Sequence, residues 1–120
     1  MANFQTEGTF TPDRLVIGRT RGRKVVIASG AGVLSRGTLL GKIAVGGKYV
    51  KSAAAAGDGS EVPDAILAED VNATAADVEA VVFIEGEFDV DAVTFGAGHT
   101  PASVDRGLRE INVFLSKTQG

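Results

Sequence analysis

The chain has 120 residues, with 12 Lys and Arg against 15 Asp and Glu, one histidine and no cysteine. That length sets one domain around a single core. The missing cysteines exclude a disulfide framework, and one histidine leaves a structural zinc site without ligands. A net charge of −3 argues against a nucleic-acid binder. The opening Met-Ala-Asn-Phe-Gln-Thr-Glu-Gly has neither the basic flank nor the apolar run of a signal peptide, and no stretch reaches the length of a membrane span. The expectation is a soluble protein of a cytoplasm-like compartment.

Residues 1–20 are polar with scattered apolar positions, Phe4, Phe10, Leu15, Val16 and Ile17, at neither helical nor strand spacing. They read as an N-terminal arm, and residues 21–120 as one β-rich domain. Arg23–Ala28 contains Val25-Val26-Ile27 and reads as a strand, followed by a turn at Gly30-Ala31-Gly32. Thr38–Val45 and Lys48–Lys51 form a hairpin about a two-residue Gly46-Gly47 turn, since a type I′ turn needs positive φ at both positions. Ser52–Gly57, with four alanines, is too short to nucleate a helix and is stopped by Gly57-Asp58-Gly59.

Pro63 opens a short buried strand, Ala65–Glu69. Val71–Asp77 reads as a turn. Val78–Ile84 is a strand that Gly86 interrupts with a bulge or bend. The helix signal lies late. Thr100 is an N-cap, Pro101 the first helical residue, and Val104, Leu108 and Ile111 share one face. Gly107 weakens its interior by about 1 kcal/mol. Asn112–Ser116 is a last strand.

Charge is segregated along the chain. Every charged residue from Arg14 to Lys51 is positive and every one from Asp58 to Asp91 is negative. Arg19, Arg21 and Arg23 alternate, as do Glu85, Glu87, Asp89 and Asp91, so each set shares one face of an extended segment. The matched period suits pairing across strands or across subunits, and either set equally suits plain solvation. The arginines lack the interleaved aromatics of a single-strand nucleic-acid platform. The carboxylates form a flat ladder, whereas a calcium loop wraps its ion.

Catalytic motifs fail one by one. Gly30-x-Gly32 has Ser35 at the third glycine position of a dinucleotide loop, Gly41-Lys42 lacks the rest of a phosphate loop, and no G-x-S-x-G elbow exists. His99 reads as a loop or capping histidine. No catalytic residue, metal or cofactor is expected.

Arg36-Gly-Thr-Leu-Leu-Gly41, Lys48-Tyr-Val50, Asp58-Gly-Ser60, Pro63-Asp-Ala-Ile-Leu-Ala-Glu-Asp-Val71 and Gly86-Glu-Phe88, in that order and spacing, resemble the bacteriophage head decoration proteins of the lambda D family. The likeness covers roughly residues 30–117. It implies a mainly β fold, β-clip-like, with one short C-terminal helix and an extended N-terminal arm. It implies a homotrimer on the outer surface of the expanded icosahedral head, at local three-fold positions, bracing the shell against packaged DNA. The partners so implied are the major capsid protein and further copies of the chain, with no direct nucleic acid and no membrane; synthesis is in the host cytoplasm. Phe4, Phe10, Leu15, Val16 and Ile17 become the expected capsid-binding arm residues. Arg19, Arg21, Arg23, Glu85, Glu87, Asp89 and Asp91 become the expected inter-subunit or capsid electrostatics. Another virion component, or a generic protein-binding β module, is the alternative reading.

Overall fold

The computed structural model describes residues 15–116. In chain order they form β1 Val16–Ile27, β2 Gly32–Leu34, β3 Leu39–Lys42, β4 Tyr49–Lys51, β5 Pro63–Leu67, β6 Val71–Ala73, β7 Val78–Asp89, α1 Pro101–Glu110 and β8 Val113–Ser116. The mainly β class with one short C-terminal helix is the observed one, and the arrangement is compatible with a β-clip.

The main sheet runs β1-β4-β3-β5-β7-β8, and β7 also pairs antiparallel with β1. Five strands therefore close a ring, and β8 lies parallel to the far half of β7. Leu39–Gly41 of β3 and Ala65–Leu67 of β5 read as short apolar runs because both faces are buried there. Leu40, Ala65, Leu67 and Val82 point to one core with Ile27 and Tyr49. Their neighbours Leu39 and Ile66 point to a second core with Phe88, Val104, Leu108 and Val113. A side-chain period of two thus lets one set of strands serve two apolar layers.

Helix α1 seals the second layer. Thr100 and Ser103 make a reciprocal capping box, the Thr100 hydroxyl accepting from the Ser103 N–H at 3.1 Å and the Ser103 hydroxyl from the Thr100 N–H at 2.9 Å. Val104 and Leu108 are buried and Ile111 packs beside them. Asn112, at φ 68°, turns the chain into β8.

Four expectations need correction. The strand read as Arg23–Ala28 begins seven residues earlier, at Val16, because the full length of β7 offers it a partner. Val71–Asp77 is not all turn: Val71–Ala73 pairs with Gly32–Leu34 as a separate two-stranded sheet. The β3–β4 hairpin exists, but its loop is four residues, Ala44–Gly47, closed by the Ile43 N–H to Lys48 carbonyl bond at 2.8 Å. Finally, the strand read as Val78–Ile84 runs further, while the irregularity expected at Gly86 is present within it. The strand continues to Asp89, and Gly86 stands where the β1–β7 register shifts.

Candidate interaction surface

The surface that the sequence singled out is built from β1, β7 and β8. Phe4 and Phe10 lie outside the described residues. Leu15 is 1% exposed, packed with Phe88 and Leu108, and its carbonyl accepts from the Asp89 N–H at 2.8 Å. Leu15 is therefore a core residue and not an arm contact, and an arm running to residue 20 overlaps β1. Val16 and Ile17, at 37% and 40% exposed, do face outward.

The charged alternations meet in part. Because β1 runs antiparallel to β7, the basic strand lies along the acidic one, and Arg21 sits opposite Glu85 with 3.6 Å between their charged groups. Lys24 approaches Glu79 at 4.0 Å, and Lys48 of the hairpin reaches Asp77 at 2.6 Å. Regular pairing stops there for a geometric reason. Residues 17–19 of β1 oppose a single residue of β7, and Ile84 has no opposite number, so Arg23 stands against Val82. Arg19 and Arg23 are exposed without an ion pair among the described residues.

The carboxylate ladder does not run its length. Glu87 accepts from the Ser116 hydroxyl at 2.8 Å. Asp89 is 5% exposed and caps a single 3-10 turn, Val90–Ala92, by accepting from the Asp91 N–H at 2.9 Å. Only Glu85 and Glu87 therefore remain as outward rungs on the strand. They border an open concavity of about 630 Å³ with Arg19, Arg21, Asn112 and Phe114. Phe114 is 42% exposed, and the strand alternation Val113 in, Phe114 out is the signal that identifies it.

Two arrangements escaped the sequence reading. The Arg36 guanidinium lies 5.5 Å over the Phe83 ring and donates to the Ala68 carbonyl at 2.8 Å, while the Arg36 N–H donates to Asp70 at 2.7 Å. Ser52, fully buried, joins three loops: its hydroxyl donates to the Ser60 carbonyl at 2.7 Å and lies 3.0 Å from Nε2 of His99. With its one hydrogen on Ser60, the hydroxyl accepts from the ring, so Nε2 carries the hydrogen. A serine so held is not an activated nucleophile, because its histidine has no free lone pair aimed at it.

Three titrating groups are displaced. Burial, and then Asp64 beside it, raise Tyr49 above its ordinary 10.0, the phenol donating to Asp64 at 3.1 Å. The Ser60 hydroxyl and then the Ser60 N–H lower Asp58. The Lys48 ammonium and then the Ser29 N–H lower Asp77. Each shift follows from a structural contact, and none marks an acid–base pair. Among the described residues, no three His, Cys, Asp or Glu side chains converge as a metal site, and no helix is long and apolar enough to cross a membrane.

The model of the family described as bacteriophage lambda head decoration protein D matches residues 4–112. No curated protein matches the chain.

Proposed function

We propose, since this chain belongs to the bacteriophage lambda head decoration protein D family, that it coats the exterior of the expanded icosahedral head as a homotrimer at local three-fold positions and braces the shell against packaged DNA. The observation that supports this reading is the extent of the family match. It spans β1 to α1, so it takes in most of both apolar cores and does not rest on one short motif.

The structure supports a binding role in two ways. Among the described residues, the polar clusters around Ser52, Asp58 and Asp77 hold loops together, which suits a framework that presents a surface. The exposed Val16, Ile17 and Phe114 lie on the two strands flanking β7. Ordering residues 1–14 costs about 14–28 kcal/mol of backbone entropy. Burying Phe4 and Phe10 returns about 3–6 kcal/mol. An arm that orders on the shell therefore draws on main-chain bonds to a sheet edge as well. Three arms on one trimer then add their attachments. In this reading the arm comprises residues 1–14 with Val16 and Ile17 as its outward continuation, because Leu15 belongs to the core.

The test is incubation of the purified chain with expanded, undecorated heads, followed by imaging. Density at three-fold positions supports the reading; bare heads at saturating protein overturn it. A chain lacking residues 1–14 is expected to fold and to leave heads bare.

A further inference from the structure

Strand β1 is paired on one side only for most of its length. It lies along β7 from Val16 to Ile27, but toward β4 its single register pair is Ile27 with Tyr49. The Ala28 N–H donates to the Tyr49 carbonyl at 2.9 Å. Alternate residues of a strand direct their main-chain groups to the same side, so those of Gly22 and Lys24 point to this side as well. Strand β4 leaves through the Ala44–Gly47 loop, and β1 runs on past it with an edge that no strand among the described residues pairs. The fork between them is an open concavity of about 280 Å³ lined by Arg23, Lys24, Lys42, Gly47 and Lys48.

The charge of this fork is one-sided. Lys24 and Lys48 are matched by Glu79 and Asp77. Arg23 and Lys42 are exposed with no carboxylate partner among the described residues, so two cations remain in excess. A long uncovered edge ordinarily invites pairing between identical chains. Here a second copy laid along the edge sets Arg19, Arg21, Arg23 and Lys24 against the same residues, and like charges directly opposite destabilise a strand pair. The edge therefore discriminates against itself and in favour of an acidic strand.

We propose that the β1 edge from Thr20 to Lys24, together with the fork, takes an extended acidic polypeptide segment as an added strand. Main-chain hydrogen bonds supply the attachment, and Arg23 and Lys42 receive the carboxylates. Naming that segment as part of the capsid shell rests on the decoration reading; the acidic-strand site itself does not.

The probe is a capped Glu-Val-Glu-Val-Glu-Val peptide titrated into the full-length, 15N-labelled chain, with the Lys-Val counterpart and a ten-nucleotide oligothymidylate as controls. The expected result is saturable shifts at the Gly22, Lys24 and Lys48 amides and slowed amide exchange at Lys24. Binding falls about tenfold between low salt and about 0.5 M salt. The double variant Arg23→Glu/Lys42→Glu binds at least about fivefold more weakly while melting as the parent does. An equal response to the Lys-Val peptide, binding of oligothymidylate as tight as the acidic peptide, or unchanged affinity in the double variant overturns the proposal. On undecorated heads, a double variant that decorates as well as the parent overturns the capsid as partner while decoration stands. A parent that binds the peptide but leaves heads bare upholds the acidic-strand site and is the failure of the decoration reading.

Discussion

At the loop end of the ring, backbones touch backbones; along most of β1 one side of the backbone has no strand partner among the described residues. At the loop end, a Cβ on Gly41 would overlap the Ser60 carbonyl, and one on Gly96 would overlap the Ser52 carbonyl. The same loops are tied by the Leu39 N–H to Thr94 carbonyl bond at 2.9 Å, the Ala54 N–H to Ala97 carbonyl bond at 2.9 Å, and the Ser52 hydroxyl between Ser60 and His99. The β1 edge instead carries exposed arginines whose best partner is 3.6 Å away. Stability is concentrated where contacts are short and dry, and recognition is left to the surface whose removal costs the fold little.

That contrast is broken most directly by filling the close approaches. Gly41→Ala or Gly96→Ala is expected to cost about 3 kcal/mol or more, because the obstructing atoms are backbone and cannot swing aside. Denaturant unfolding measures it, and a cost below about 1 kcal/mol would remove the claim that this end is tightly locked. Ser52→Ala should cost about 1–3 kcal/mol, since it strands a buried carbonyl and the His99 ring at once. Thr100→Ala removes one half of the capping box and should cost about 1 kcal/mol in the same assay.

At the open edge the expected effects are small. Arg21→Ala should change stability by less than about 0.5 kcal/mol, as an exposed pair contributes little; a loss of several kcal/mol would make β1 part of the structural core. Asp77 sharpens the comparison by pH. Lys48 and the Ser29 N–H lower its proton affinity in the fold. Its contribution is therefore full above the unfolded carboxylate range near about pH 4 and is lost as pH falls through the lowered folded value. Melting curves of the parent and Asp77→Asn should differ at neutral pH and converge in acid; a gap that widens in acid contradicts the assignment.

Much of this was legible in the residues. The β3–β4 hairpin, β5 after Pro63, the body of β7 and the Thr100-Pro101 helix start are each announced by neighbours within a few positions. Leu15 was not, because Leu15, Val16 and Ile17 are three apolar residues in a row and no period tells which of them is buried. Strands β2 and β6 were missed because each is three residues long and its strand partner lies some forty positions away. The site was half legible: alternation identified the basic and acidic strands, but the two register shifts that leave Arg23 opposite Val82 have no signature in either strand alone.

By itself the sequence determined the local elements, the apolar surfaces they must bury, the segregation of charge and the family resemblance, since these depend on residues close in the chain or on their order. Only the tertiary structure decided that β7 returns to β1 and closes the ring, that Leu15 is inside, that Ser52 and His99 meet, and that the basic strand has one edge without a strand partner among the described residues. Those outcomes depend on which distant backbones find one another. Main-chain hydrogen bonds are the same for every residue type, so the choice of partner is made by the packing of the whole chain.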